Sequence, residues 1–352
     1  MDDVLERSLA AATIVVMPAT LPDALRDRPF TPTMATAWGL TKPQVYALNL
    51  TSPARGVWSS AACESLVEKC SAVGLVVQRH AFSHLTAARI HGLPLPMSLD
   101  DDVAIHVTRN MKDGAVRRPG FVGHRGLSDR TVVRVAGLPV TSLADTWVDL
   151  GELVRPGIPL GHDDLVMIGD AVAARLGSVE PLRTALAARV APRGKLTLLE
   201  ALEWVRVGSE SPGETRTRLV LVRAGLPEPE LNKPAYADDR RWLGRPDMRW
   251  VDQRVLLEYQ GREFHDSPEQ RQHDEARFQR FSDGGWSVIE VWDDDVHSDA
   301  ARYALVLRAA NELGHPRAAL DLSAIHPRFF SQRMLELADI RARRLRARAN
   351  AA

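Results

Sequence analysis

Residues 244–261, GRPDMRWVDQRVLLEYQG, decide the fold of the C-terminal half of this chain. Apolar and polar residues alternate on both sides of a polar turn at Asp252 and Gln253, which predicts an antiparallel β-hairpin. Strands disfavour acidic residues, yet this hairpin carries Asp247 and Glu258. A turn of two residues at this point, or a four-residue loop around it, pairs Asp247 directly with Glu258, so both carboxylates leave the same face of the sheet.

Two facing carboxylates repel each other and need a partner. Either one of them takes up a proton at a raised pKa, or both share a cation. Mg²⁺ prefers oxygen ligands and is bound through one or two carboxylates plus substrate phosphate. The hairpin therefore predicts a site for Mg²⁺, or for Mn²⁺, at Asp247 and Glu258, with Gln260 on the same face two residues further along.

The elements around the hairpin are strongly marked in the sequence. Ser211, Pro212 and Glu214 open a helix that ends at Gly225, with Ser as N-cap and Pro in the first turn. A second capping pattern at residues 267–270 opens a helix that runs to Gly284, and the apolar run 286–292 reads as a buried strand. The predicted order is helix, three strands, helix, strand.

This ordered set resembles the PD-(D/E)xK nuclease superfamily, in the branch related to the very short patch repair endonuclease. The resemblance covers about residues 209–296 and rests on a helical Glu, the Pro-Asp pair, the acid on the next strand, a His, a DxxR pattern and a Gly-Trp pair. It implies a restriction-endonuclease-like mixed sheet flanked by helices, within an α/β (α+β) chain. It also implies hydrolysis of DNA phosphodiester bonds by a metal-activated water.

The resemblance assigns a role to each matching residue. Asp247 and Glu258 would bind Mg²⁺, and Glu214 would complete or orient the site. His265 would act as general acid or base. Asp274 and Arg277 would face the site from the second helix or brace it.

Gln260 departs from the superfamily pattern, which has Lys at this place. Gln donates and accepts hydrogen bonds but carries no charge. Lys233 is the only lysine between residues 199 and 300 and is the one candidate for a relocated catalytic lysine, expected on the preceding strand. Arg245, expected opposite Gln260, and Arg277 could supply positive charge but no general base.

Several of these residues also have a purely structural interpretation. Glu214 is at the third position of a helix whose N-cap is Ser, where acids are common without any metal. Asp274 and Arg277 could form a helix ion pair worth about 0.2–0.5 kcal/mol. His265 could simply follow the end of a strand.

The N-terminal region is expected to be a small winged helix. Short helical stretches with Thr-Pro starts at residues 31–32 and 41–43 precede a turn and a short strand at residues 55–58. With residues 82–96, this region is similar to AbiEi-like antitoxins, which implies DNA binding through a helix near residues 41–50. A scaffold with no DNA contact is the alternative, because Lys42 is the only cation of that helix.

The middle of the chain mixes strand-like and helix-like runs. His80, His84 and His91 are irregularly spaced and predict no metal site. Asp145 and Asp149 lie one helical turn apart, with further acids at residues 163, 164 and 170. We interpret these acids as caps and solvated helix faces, with a metal or nucleotidyl-transfer site as the alternative.

Length and composition set the outer limits. The 352 residues, 45% hydrophobic and 26% charged, predict a soluble globular protein of several domains. We expect a winged-helix-like domain at 1–60, an antitoxin-like middle and connector at 61–198, an endonuclease-like domain at 199–300 and C-terminal helices at 301–352. The net charge of zero means that any nucleic-acid surface must be local.

The remaining features favour a cytoplasmic protein. Cys63 and Cys70 have no metal-binding spacing and are expected to be reduced. No signal peptide and no apolar run of membrane-spanning length is recognisable. The arginine-rich C-terminus either holds a nucleic-acid backbone or forms a solvated helix. The leading functional hypothesis is a Mg²⁺-dependent DNA endonuclease, and the second is a non-catalytic, antitoxin-like DNA-binding regulator with a degenerate nuclease fold. A third is a protein-interaction role without nucleic acid.

Overall fold

The computed structural model describes residues 20–100, 102–261 and 268–349, and it confirms a mixed α/β chain of the α+β type. Helices and short strands follow one another in three packed regions. Within the described ranges no helix combines the length and the apolar character that a bilayer-spanning segment needs.

The N-terminal region forms two short helices and a β-hairpin. Its elements are α1 (Pro32–Ala37), α2 (Lys42–Ala47), β1 (Thr51–Ala54) and β2 (Val57–Ser59). The predicted caps are present, since the Thr31 side chain accepts a hydrogen bond from the Met34 N–H and Thr41 forms a capping box with Gln44. The strand expected at 55–58 is instead a hairpin, because residues 55 and 56 form the turn between β1 and β2.

The middle region has a five-stranded sheet with helices packed on it. Its first elements are α3 (Leu66–Gly74), β3 (His80–Phe82), α4 (His84–Ile90), β4 (Ile105–Arg109), β5 (Phe121–Arg125), β6 (Val132–Val135) and β7 (Leu138–Thr141). Four helices follow: α5 (Leu143–Gly151), α6 (His162–Leu176), α7 (Glu180–Ala187) and α8 (Lys195–Trp204). The strand order is β5-β4-β3-β7-β6, with β4/β5 and β3/β7 parallel.

The C-terminal region contains the predicted series with two additional short strands. Its elements are α9 (Pro212–Arg223), β8 (Glu230–Leu231), β9 (Ala235–Tyr236), β10 (Trp242–Gly244), β11 (Met248–Trp250), β12 (Val255–Gln260), α10 (Pro268–Asp283), β13 (Ser287–Trp292), α11 (Asp299–Glu312) and α12 (Gln332–Ala349). The central sheet has the order β13-β12-β11-β8, and β13 is parallel to β12. The expected boundaries at 198 and 300 fall inside α8 and α11.

The two faces of the central sheet are covered by different helices. Leu257 packs with residues of α9 and α11, among them Leu221 and Leu305. Leu256, the next residue back, packs with Phe281 of α10 and with Trp286. The alternation of a strand therefore directs Glu258, like Leu256, toward the α10 face.

Buried ion pairs join the C-terminal region to the middle region. Arg218 of α9 lies 3.0 Å from Asp170 of α6, and both side chains are buried. Arg223 of α9 pairs with Asp163 of α6 at 2.6 Å. These contacts fix α9 against α6 and hence fix the start of α9, where Glu214 lies.

Gly213 allows the start of α9 to approach the central sheet. A Cβ atom at this position would lie 2.1 Å from the Tyr259 ring, a distance at which something must move. Tyr259 is itself held, because its hydroxyl donates to Asp293 at 2.7 Å. The absence of a side chain at Gly213 thus brings Glu214 close to the end of β12.

We expect Gly213→Ala to lower the free energy of unfolding by about 1–3 kcal/mol, the usual cost of overpacking a well-packed contact. Urea unfolding followed by circular dichroism measures the change. Gly74→Ala is the matched control, because its added Cβ would meet only His80 at an ordinary 3.9 Å. Equal unfolding midpoints for the two variants would contradict the close approach of α9 to Tyr259.

Candidate active site

The hairpin register that the sequence predicts is present. Met248 pairs with Leu257, Arg249 with Leu256 and Trp250 with Val255. Residues 251–254 form the four-residue loop between the strands. Continued by one residue, this register places Asp247 opposite Glu258. A hydrogen bond of 2.7 Å from the Tyr259 N–H to Asp247 Oδ2 fixes the carboxylate there.

Glu214 reaches the same place from the first turn of α9. Its backbone N–H donates to Ser211 Oγ at 3.1 Å, as expected for a helix capped by Ser211. Its Oε2 accepts from the Glu210 N–H at 2.9 Å and from Asn232 Nδ2 at 2.8 Å. Glu214 therefore serves the helix start and also faces Asp247.

Asn232 joins Glu214 to Asp247, because its side chain donates to Glu214 Oε2 at 2.8 Å and its backbone N–H donates to the Asp247 carbonyl at 2.9 Å. Burial first, and then the charge of Asp247, raise the pKa of Glu214 to about 7 against the hydrogen bonds that Glu214 accepts. Burial also raises the pKa of Asp247, while the Tyr259 N–H and the charges of Arg277 and Arg245 act in the opposite direction. These are the effects expected of two carboxylates that share a site.

Arg277 connects the two hairpin acids to helix α10. Its guanidinium lies 2.8 Å from Glu258 Oε1, and Glu258 is 3% exposed. It also donates to the backbone carbonyl of Arg245 at 2.9 Å and acts electrostatically on Asp247. Arg277 thus takes the bracing position expected for it.

Arg245 and Gln260 lie at the edge of this group. Arg245 is half-exposed and forms a two-contact ion pair with Glu210, each contact at 2.8 Å. It precedes β11, so the expected pairing with Gln260 lies outside the paired register, which begins at Met248. Gln260 ends β12, and strand alternation places it on the Glu258 face.

Lys233 is not on a strand. It is exposed in the loop between β8 and β9, so the expected strand position was wrong. His265 lies outside the described residues. Asp274 lies within α10, but its side chain lies outside the described part of the chain. The expected Asp274–Arg277 pair therefore stays a prediction.

The three acids do not form a compact ligand set as they stand. Among the described residues, three groups of His, Cys, Asp or Glu place one ligand atom each within 4.8 Å of the others, and Glu214, Asp247 and Glu258 are not one of these groups. The ion pair with Arg277 accounts for one Glu258 oxygen. The carboxylate oxygens are ligands of the kind that a hard cation takes. Their separation, however, is that of acids whose charge is neutralised by Arg277.

Sequence reasoning missed three partners of this site. Glu210 holds Arg245, Asn232 holds Glu214, and the Tyr259 backbone holds Asp247. Glu210 and Asn232 lie in connecting segments, where residue type alone carries little signal. Their position follows only from the packing of α9 on the sheet.

The basic C-terminal helix is partly neutralised. Of the arginines in α12 whose side chains are described, Arg333 pairs with Glu203 at 2.6 Å and Arg343 with Asp339 at 2.7 Å.

In the N-terminal region, Trp38 is 56% exposed and Tyr46 is 71% exposed on α1–α2. Two exposed aromatic side chains therefore lie on α1–α2, in the region that is expected to be a winged helix.

Comparison with known proteins gives two relatives, both from Mycobacterium tuberculosis. The proteins "Uncharacterized protein MT2308" of strain CDC 1551 / Oshkosh and "Uncharacterized protein Rv2248" of strain H37Rv are each 30% identical to this chain over 259 residues. The match covers 72% of this chain and 89% of each relative. No family model and no solved structure matches the chain.

The pKa of Glu214 leads to a test by pH. A carboxyl whose pKa rises from an ordinary 4.5 to about 7 on folding contributes stability below the lower value and loses it as the pH rises through the higher one. We expect the free energy of unfolding of Glu214→Gln to rise by about 2.5 kcal/mol relative to that of the wild type between pH 5 and pH 8. Urea unfolding at both values measures this difference.

The matched control is Glu275→Gln, an exposed glutamate on α10. Its difference from the wild type should be the same at pH 5 and pH 8. If the Glu214 variant showed no more pH dependence than this control, burial and the charge of Asp247 would not raise the pKa of Glu214.

Proposed function

The chain belongs to the family of the Mycobacterium tuberculosis protein Rv2248, and we propose that it is a metal-dependent DNA endonuclease. The observation that carries this proposal is the hairpin register, which places Asp247 opposite Glu258, with Glu214 joined to Asp247 through Asn232. The three acids come from a helix, the residue before a strand and a strand, and three carboxylates gathered from separate elements at a sheet end suit phosphodiester hydrolysis.

The metal proposed is Mg²⁺ or Mn²⁺. Asp247 and Glu258 would hold it, because carboxylate oxygens are the ligands that these hard cations prefer. Glu214 would lie beside the ion and orient the site, where burial and then the charge of Asp247 raise its pKa. When bound, the ion would polarise the phosphate and lower the pKa of the attacking water.

Glu214 also suits the proton transfer that the missing lysine leaves open. A general base works best with a pKa near the operating pH, and burial brings the pKa of Glu214 to about 7. Gln260 would orient the water or the phosphate by hydrogen bonding. In this proposal the acid from α9 takes the proton that a lysine takes in the related pattern.

Two arginines would neutralise the phosphate. Arg277 is 33% exposed beside Glu258, and Arg245 is 52% exposed beside Glu210. Both guanidiniums lie next to the acids, so a DNA backbone at the site would meet positive charge. A DNA phosphate would displace Glu210 from the guanidinium of Arg245.

A second function, DNA-binding regulation without catalysis, is favoured by one observation. The Arg277–Glu258 pair balances a buried charge without any metal, so the fold is complete in the absence of the ion. A degenerate nuclease fold that only binds DNA would look the same. The exposed Trp38, Lys42 and Tyr46 of the N-terminal region would then supply the DNA contact.

Cleavage assays separate the two functions. We expect the purified chain to nick supercoiled plasmid DNA with Mg²⁺ or Mn²⁺ and not in EDTA. Glu258→Ala should reduce the rate at least about 100-fold, because the metal would lose a ligand. Glu312→Ala, an exposed acid on α11, is the matched control and should cleave like the wild type. DNA binding of equal strength in EDTA, with no nicking under any metal, would support the regulator instead.

Gln260→Lys tests the departure from the superfamily pattern. We expect cleavage to accelerate about 10-fold or more, because proton-transfer groups contribute about 10²- to 10⁴-fold. Gln279→Lys adds the same charge at an exposed position of α10 and should leave the rate unchanged. Equal rates for the two lysine variants, measured on the same plasmid, would show that position 260 takes no part in the reaction.

A further inference from the structure

A second polar cluster, far along the chain from the carboxylates, lies in the middle region. His84 begins α4, His106 lies on β4 and His124 lies on β5. One ring nitrogen of each lies within 4.8 Å of a nitrogen of the other two. His106 Nδ1 is 3.0 Å from His124 Nε2, and the rings of His84 and His124 stack with centroids 3.4 Å apart.

Two nitrogens of this cluster are buried without a hydrogen bond among the described residues. They are Nε2 of His84, which is fully buried, and Nε2 of His106, which is 3% exposed. Buried side-chain polar atoms almost always have a partner, so each such atom calls for a ligand or a functional reason. Nε2 of His84 is the one that faces the other members of the cluster, whereas Nε2 of His106 lies on the opposite side of its ring from the Nδ1 that meets His124.

The backbone of His84 shows that this residue is held in place. Its φ is +50°, in the left-handed region that non-glycine residues adopt at a cost of about 1–3 kcal/mol. Its Nδ1 lies 2.9 Å from Ser83 Oγ, which in turn accepts from Thr108 Oγ1 at 2.7 Å. This chain of contacts leaves Nε2 of His84 directed toward another partner, as second-sphere contacts of metal-binding histidines do.

Two of the three histidines have a pKa below the ordinary imidazole value. Burial first, and then the charges of neighbouring groups, lower the pKa of His106 to about 4 and that of His124 to about 2. Neutral imidazole is the form that coordinates a metal.

One carboxylate beside the cluster has an oxygen directed at it, since Oε1 of Glu152 pairs with Arg130 at 3.6 Å and Oε2 faces His84. Asp149 lies 3.9 Å from His84 Nδ1, but it is already paired with Arg130 at 2.8 Å and Arg189 at 3.2 Å. Glu152 Oε2 lies 3.8 Å from His84 Nε2, one of the two orphaned nitrogens.

A cavity of about 330 Å³ gives access to this place. His106, His124 and Glu152 lie in its wall. An ion from solvent could thus reach the nitrogens without unfolding the sheet.

We propose that His84, His106 and His124 bind Zn²⁺, with Glu152 at the fourth position or on a water molecule there. Zn²⁺ takes three imidazole nitrogens in tetrahedral geometry with Zn–N distances of about 2.0–2.1 Å, which separate the nitrogens by about 3.3 Å. The 3.0 Å between the His106 and His124 nitrogens is close to this value, whereas the His84 ring, stacked on His124 at 3.4 Å, would turn to direct its nitrogen at the same ion. Nitrogen ligands select zinc-like ions over Mg²⁺, so this site is chemically distinct from the carboxylate site.

The test is a zinc titration of the EDTA-treated, full-length protein against a chromophoric chelator. We expect one Zn²⁺ per chain and a raised thermal midpoint. CoCl₂ should give the intense visible spectrum of four-coordinate cobalt, and X-ray absorption of the zinc form should show three imidazoles. His106→Gln and His124→Gln should each weaken binding beyond the about 100-fold that loss of an outer partner causes.

Two controls assign the result. His91→Gln changes the histidine at the C-terminal end of α4, whose ring contacts the Thr141 carbonyl. Glu258→Ala changes the carboxylate site. Both should bind zinc like the wild type. No stoichiometric zinc, an oxygen-dominated X-ray absorption spectrum, or binding lost equally in the His91 control would overturn the proposal. The spectrum of the wild type decides the matter even if a histidine variant fails to fold.

Discussion

The pairing of Met248 with Leu257 in the β11–β12 hairpin is the constraint on which the carboxylate site depends. A slip of one residue would turn every side chain of β12 to the other face of the sheet and send Glu258 into the apolar layer under α9 and α11. The register is fixed because Leu256 and Leu257 each have an apolar layer to enter. Core packing therefore positions the two carboxylates, whose mutual repulsion does not favour the pairing.

The like charges that this register brings together are balanced by neighbouring groups. Arg277 reaches Glu258 from α10, and the Tyr259 N–H holds Asp247. Glu214 is left with a raised pKa because it is buried beside Asp247. A buried acid whose partner can be exchanged is suited to a cation that arrives with substrate, whereas a site fully closed by arginine would suit DNA binding alone. The balance at Glu258 is thus where the catalytic and regulatory hypotheses diverge.

The sequence was most informative where local patterns and core packing agree. The caps at Thr31 and Thr41, the helix that opens at Ser211 and the hairpin register were all predicted from residue type and spacing. Residues whose position depends on long-range packing were not predicted correctly. Lys233 was assigned to a strand but lies in a loop, and the strand at 55–58 proved to be a hairpin.

The middle region shows the same limit more clearly. Asp145 does lie in the first turn of α5 and bonds the N-cap Ser142, as the capping interpretation predicts. The solvated interpretation is wrong for both Asp145 and Asp149, because both are buried and bound by arginines. The histidine cluster was missed because the sequence analysis compared His84 only with its neighbours in sequence. His106 and His124 join it from β4 and from β5, a strand that was not predicted, and only the parallel pairing of these strands brings the rings together.

The most direct test of a metal site at Asp247 and Glu258 is a crystal grown in MnCl₂ and measured at a wavelength where manganese scatters anomalously. We expect an anomalous peak bonded to Asp247 and Glu258, with Glu214 beside it and Arg277 moved off the Glu258 oxygen that it now contacts. A structure in which Arg277 still holds Glu258, and no peak lies near Asp247 at high Mn²⁺, would contradict it.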